Sequence, residues 1–214
     1  MTTPAAAALK VLGRPSSINV KKVLWLCDEL QLPVAHEPWG TGFQSTLPPG
    51  FEALNPNRLV PVIVDGDFIL WESNTICRYL AGRAGRSDLL PAEPQARARV
   101  EQWMDWQTTE LNTSWRYAFL AIVRNRPARP DPKAVAASVA AWNRHMEILE
   151  RQLERTGAYA AGAEFTLADV ALGVSAHRWI ATPIERPRLP AVQAYYALLA
   201  ERPAFVRHVR DSTP

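Results

Sequence analysis

Three stretches in the first half of the chain hold side chains whose types and spacing allow chemistry. The first is the turn Gly13-Arg14-Pro15-Ser16-Ser17, which runs straight into an apolar repeat at Val20, Val23, Leu24, Leu26, Cys27 and Leu30. Apolar residues three and four apart mark a helix, so Ser16 and Ser17 stand at its start. The first N–H groups of a helix have no partner within it. A serine there either caps them or leaves them, with its own hydroxyl, to an anion from outside. A thiol held at such a place ionises more readily, as a cysteine at a helix start does. From the residues alone both readings stand.

The second stretch is Glu72-Ser73, ahead of an apolar stripe at Ile76, Cys77, Tyr79 and Leu80. The Ser73 hydroxyl and the first N–H groups of that helix can hold a carboxylate, and Glu72 can pair with an ammonium. A carboxylate site beside an ammonium site suits the head of an amino acid. The plainer reading is an N-cap with an acidic neighbour. The third stretch is Val60-Pro61, just before a β-like run. A cis bond here would turn the Val60 backbone outward, where its N–H and C=O could pair with an extended peptide.

Other chemistries find no support. The four histidines, His36, His145, His177 and His208, are widely spaced, with no HExxH and no Cys/His cluster, so no metal is expected. There is no P-loop, no GxGxxG and no GxSxG elbow. Cys27 and Cys77 form no CxxC pair and no disulfide framework.

The elements that must position these residues are legible in outline. A chain of 214 residues with 48% hydrophobic and 21% charged residues can build a sizeable core. Short β-like and helical runs alternate up to about residue 85, in the order β-α-β-α-β-β-α. They include a hairpin around Asp65-Gly66. This predicts a small mixed sheet with helices on both faces. Beyond it nearly everything reads as helix. Expected domains are 8–85, a linker at 86–93, and an all-helical unit at 94–211. The net charge of +3 is spread out, and the Arg124, Arg126, Arg129 cluster is broken by prolines, so nucleic-acid binding is not expected. No stretch has the length of a membrane span, and the start MTTPAAAALKV lacks the pattern of a signal peptide. The expected location is the cytoplasm.

Taken in order, GRPSSINVKKVLWLCDEL at 13–30, LNPNRLVPVIVDGDFILWESNTICRYLA at 54–81 and FTLADVAL at 165–172 resemble the bacterial cytosolic glutathione S-transferases, closest to the theta-like and beta-like groups. The resemblance spans nearly the whole chain. It implies a thioredoxin-like α/β N-terminal domain, an all-α C-terminal domain and a homodimer. It implies glutathione as cosubstrate and a small hydrophobic electrophile as its partner. Ser73 would hold the γ-glutamyl carboxylate, Glu72 its amine, and Val60, before a cis Pro61, the cysteinyl backbone. Arg58 and the loop around Gly42 to Gln44 would meet the glycyl end. A cysteine stands at the position of Ser16 in the beta-like pattern, while a serine activates the thiol in the theta-like one. Relatives carry Asn-Ser where this chain has Ser16-Ser17, which favours Ser17. Trp115, Arg116 and Phe119 would line the electrophile pocket, although packing the bundle is an equal use for them. Thr166 and Asp169 would form a buried capping box. A peroxidase, dehalogenase or isomerase would use the same thiolate, and a catalytically silent glutathione binder would lack its activation.

Overall fold

The computed structural model describes residues 9–40 and 48–212. The expected glycyl-end loop around Gly42 to Gln44 lies outside them. The chain divides after Arg86. Residues up to Arg86, together with those from Ala204, form one compact unit, and Ser87–Pro203 form the other.

The first unit has a four-stranded sheet in the order β2-β1-β3-β4. Strand β1 (Leu9–Leu12) pairs in parallel with β2 (Val34–Glu37) and antiparallel with β3 (Val62–Asp65), and β3 forms a hairpin with β4 (Phe68–Trp71). Helix α1 (Ile18–Glu29) crosses from β1 to β2, and α2 (Ser73–Arg83) follows β4. This is the thioredoxin-like arrangement expected from the sequence.

The two faces of the sheet differ. Side chains alternate along a strand, so the pairs Leu12–Val62 and Val11–Ile63 point opposite ways. Leu12 and Val62 share a cluster with Phe51, Trp39, Leu54, Val60 and Trp71. Among the described residues the helical segment on this face is a three-residue 3-10 turn, Phe51–Ala53, which ends before Asn55-Pro56-Asn57. Helices α1 and α2 pack against each other.

The last residues also fold differently from the expectation, which assigned them to the helical half. Phe205 is fully buried and meets Trp25 edge-on, with ring centroids 5.0 Å apart. Arg207 and His208 both reach the Asp28 carboxylate, His208 at 3.2 Å. These contacts attach the C-terminal residues to α1.

The second unit is helical. Helix α3 (Pro94–Trp106) passes through a π turn at Gln107–Leu111 into α4 (Asn112–Ile122). Then come α5 (Pro132–Thr156), α6 (Leu167–Ala181) and α7 (Pro190–Ala200). A short turn, α8 (Pro203–Phe205), leads into a closing π turn. Helix α6 is buried along nearly its whole length. The Thr166–Asp169 capping box opens α6 as expected. The Asp169 carboxylate accepts from Thr166 N–H at 2.8 Å, Ala160 N–H at 2.9 Å and the Tyr195 hydroxyl at 3.1 Å. Among the described residues no helix is long and apolar enough to cross a membrane.

Candidate active site

The site grows from the end of β1. Gly13 N–H donates to Glu37 O at 2.9 Å, and Gly13 O lies 2.8 Å from His36 Nε2, so β2 holds the strand end. The turn closes through Ser17 N–H to Arg14 O at 3.1 Å. Ser17 then takes the N-cap position of α1 with extended backbone, φ −81° and ψ 125°. Its side chain makes no bond into the helix. Ser16 and Ser17 are both half-buried.

Gly13 has no side chain because two elements occupy the place where one would stand. A Cβ there would fall 2.6 Å from Val20 Cγ2 on α1 and 2.9 Å from Val60 Cβ. Gly13 also has φ +145°, a backbone state open to glycine at little cost. The turn, α1 and Val60 therefore meet at one point.

Asn55 prepares Val60 for that meeting. It is buried, and its Nδ2 donates to Leu59 O at 2.8 Å. Its Oδ1 accepts from Asn57 N–H at 3.0 Å, and its C=O accepts from Arg58 N–H at 2.9 Å. The loop 55–59 is thus tied to one side chain. Val60-Pro61 is cis, and β3 starts at the next residue. Arg58 is exposed and pairs with Glu52 at 3.3 Å.

The start of α2 is unusual. Glu72 occupies its N-cap with φ 73° and ψ 108°, rare for a residue with a Cβ. Its C=O accepts from Ile76 N–H at 2.8 Å, while its side chain is exposed and caps nothing. Ser73 and Asn74, the first two helical residues, are buried. Behind them lies Lys22 of α1, only 1% exposed, whose Nζ donates to Ser73 Oγ at 3.2 Å and to Asn74 Oδ1 at 3.0 Å.

The other helix starts make the contrast plain. Glu93 accepts from Gln95 and Ala96 N–H at the start of α3, and these bonds hold its carboxyl below the usual range. Asp131 accepts from Lys133 N–H at the start of α5, and Asp169 serves α6. Glu150, though on α5, accepts from Ala191 and Val192 N–H at 2.9 and 2.7 Å and so caps α7. Each of these starts is satisfied by a carboxylate of the chain itself. At α1 and α2 the residue in the N-cap position makes no such side-chain bond into its own helix.

Two helix starts whose N-cap side chains make no bond into the helix, with Val60 packed against the turn before the first, form a candidate site for an anionic, peptide-like ligand. Residues 11–88 match the model of the glutathione S-transferase N-terminal domain, and 132–198 match that of the C-terminal domain. The chain is 36% identical to the glutathione S-transferase GstB of Escherichia coli K12, across 90% of this chain and 93% of that one. The chain belongs to the glutathione S-transferase family. It is also 33% identical to glutathione S-transferase 3 of Zea mays, across 95% and 94% of the two chains. Among solved structures, the theta-class transferase of Xanthomonas axonopodis pv. citri with glutathione bound is similar at a TM-score of 0.85 and 38% identity. That match covers 94% of this chain and 97% of that one. Glutathione is the cosubstrate of this family member, and among the described residues no group of three or more His, Cys, Asp or Glu could hold a metal ion.

The transferase's helical unit places the remaining sequence candidates. Trp115 and Phe119 share one face of α4, with ring centroids 5.5 Å apart, and both are buried. Trp115 also lies 5.9 Å from Trp142. Arg116 between them is exposed. Two cations lie over these rings: Arg178 of α6, 4.0 Å from the Phe119 centroid and 4.7 Å from that of Trp115, and Arg124, 5.3 Å from the Phe119 centroid. Sequence reading missed Arg178, Lys22 and the ordering role of Asn55. Only Asn55 left a local signal, the Asn-Pro-Asn turn; the others depend on partners far away along the chain.

Proposed function

We propose that this transferase binds glutathione across the two open helix starts of its first unit and activates its thiol with Ser17. The carrying observation is that the N-cap side chains of α1 and α2, Ser17 and Glu72, make no bond into their own helices, while buried Ser73 and Lys22 meet at the second start. The γ-glutamyl carboxylate sits on Ser73 and the first N–H groups of α2, and Glu72 receives the ammonium. The backbone of Val60 pairs with the cysteinyl residue, and Arg58 faces the glycyl end.

The thiol then lies at the start of α1. The Ser17 hydroxyl donates to the sulfur as it ionises, and the helix N-terminus adds its partial positive charge. A hydrogen bond to a charged group contributes about 1.5–3 kcal/mol, equivalent to lowering the thiol pKa by about one to two units. The thiolate attacks an electrophilic carbon of a small hydrophobic molecule; a C–S bond forms as the leaving group departs with its electron pair, or as an activated double bond takes up the proton. On the electrophile side, Trp115 and Phe119 give α4 its shape and Arg116 is the solvent-facing member. The assembly we propose is a cytoplasmic homodimer.

The test is thiolate absorbance during a glutathione titration, about two units below the free thiol's ordinary value of about 8.5. Ser17→Ala should abolish a saturable thiolate signal while glutathione still binds. The same loss in Ser16→Ala, with Ser17→Ala intact, would move the role one residue upstream. Binding without thiolate in the unaltered protein would make it a silent binder and end the proposal.

A further inference from the structure

We propose that Lys22 is the positioning residue of the carboxylate subsite. It orients the Ser73 hydroxyl toward the ligand and places a buried positive charge one hydroxyl away from the bound carboxylate. This rests on the reading that Ser73 holds the γ-glutamyl carboxylate.

The argument begins with who can donate. A lysine Nζ has only donors, whereas a serine hydroxyl has one donor and two acceptor lone pairs. In the 3.2 Å contact between Lys22 Nζ and Ser73 Oγ, the serine must accept. Its single proton therefore points away from the lysine. A hydroxyl free to rotate spends part of its time bonded to its own helix or to water. Here one rotor is fixed before the ligand arrives, and a preorganised donor costs less to use on binding.

The charge acts in the same direction. Lys22 is 1% exposed, so water screens it poorly. It also donates, at 3.0 Å, to Asn74 Oδ1, the next residue along α2. These two oxygens are neutral and lie in the first turn of the helix, where the charge adds to the positive end of the helix dipole. Its field reaches further: Lys22 pulls against the rise in the Cys77 thiol pKa one turn along α2.

Lys22 also ties the two halves of the site together. It lies on the helix that Ser17 opens, five residues on, or about 7.5 Å along the axis at 1.5 Å per residue. One rigid helix thus carries the thiol-activating hydroxyl at its start and grips the carboxylate subsite through its second turn. The distance between the two anchors is set by α1.

The experiment compares two peptides. One is glutathione; the other is γ-aminobutyryl-cysteinyl-glycine, which lacks the α-carboxylate. Affinities are measured by calorimetry for the unaltered protein, Lys22→Met, Ser73→Ala and the double variant. Lys22→Met should weaken glutathione about tenfold or more, the scale of one lost charge-assisted hydrogen bond. It should leave the analogue's affinity unchanged and kcat at saturating glutathione within about twofold. Once Ser73→Ala is present, the lysine change should cost less than it does alone, because the part that passes through the Ser73 hydroxyl is already gone. If methionine leaves the helix pair unstable, Lys22→Gln, which removes the charge but can still donate to Ser73 Oγ, should weaken glutathione by a smaller factor and leave the analogue's affinity unchanged. Equal weakening of both peptides would show a merely structural lysine and overturn the inference, as would no weakening of either. If Ser73→Ala discriminates between the peptides and Lys22→Met does not, only this inference falls. If Ser73→Ala fails to discriminate, the carboxylate assignment itself is wrong and the inference goes with it.

Discussion

Gly13→Ala tests the geometry most directly, because two separate costs can be worked out for it. The first is conformational: φ is +145° at this residue, and holding a residue with a Cβ in a sparsely populated region costs about 1–3 kcal/mol. The second is steric. The new methyl would lie 2.6 Å from Val20 Cγ2 and 2.9 Å from Val60 Cβ. Neither neighbour can swing aside. Val20 is β-branched and stiff at χ1 within a helix, and a Cβ moves only with its backbone. Overpacking of this kind costs about 1–3 kcal/mol. The sum, roughly 2–6 kcal/mol, is a large part of a typical domain's 5–15 kcal/mol.

What moves to relieve the clash is also what the proposed site is built from. Val60 or the start of α1 must shift, and both belong to the proposed glutathione site. The assay is urea denaturation of the first unit beside glutathione affinity. Gly13→Ala should lower both, the affinity by about tenfold if a backbone hydrogen bond is lost. Gly66→Ala is the control. It has φ +61° and nothing within 4 Å of the new Cβ, so it bears the conformational cost alone and should bind glutathione normally. Gly13→Ala that is as stable as the control and binds as tightly as the unaltered protein would refute the close approach and the reading built on it.

Two further predictions follow from buried groups. Burial pushes the Asp169 carboxyl up to about 6 against the pull of its hydrogen bonds. Between about pH 4 and 6 the folded chain then keeps a proton that the unfolded chain has lost. The stability Asp169 contributes rises as pH falls through that window. Asparagine does not titrate, so the cost of Asp169→Asn should grow by up to about 3 kcal/mol between pH 7 and pH 4; a flat difference between the two denaturation curves would contradict this. Cys27 and Cys77 are buried, and burial pushes both thiols up to about 12. Near pH 8 only about one in ten thousand is a thiolate, so a thiol reagent should leave the native protein unlabelled and modify both cysteines in denaturant. Rapid labelling of the native form would show that α1 and α2 open far more readily than their packing implies.

The sequence disclosed what local physics decides. The Asp65-Gly66 hairpin, the capping box at Thr166 and Asp169, and the helix start after Ser17 each follow from residues a few positions apart. Lys22 shows where such reading stops. A lysine at helical spacing normally belongs to a solvated face, and nothing near residue 22 argues otherwise. Its burial depends on Ser73 and Asn74, which arrive from another element. The same holds for Glu150, whose helix-capping partners are Ala191 and Val192. It holds as well for Arg178, which comes from α6 to lie over Trp115 and Phe119. Phe205 read as part of a last bundle helix because its partner, Trp25, lies near the other end of the chain.

The open start of α2 raises a physical question, since a carboxylate stands at its N-cap position. Ser17, Glu93, Asp131 and Thr166 occupy N-caps with φ of −81°, −65°, −72° and −138°. Backbones in that region let a side chain fold back onto the second or third N–H of the helix. Glu72 has φ 73° instead, which turns its side chain out to solvent. Holding a glutamate there costs about 1–3 kcal/mol. The chain bears that cost, and in return the Glu72 carboxylate does not cap α2. A glutamate with ordinary φ would cap the helix and, by its own negative charge, repel an incoming carboxylate. In the proposed subsite the outward charge serves the ligand's ammonium, while Lys22 supplies the opposite charge behind Ser73. On that proposal the strain at Glu72 separates the two charges, and the anion-binding half depends on it as much as on the serine.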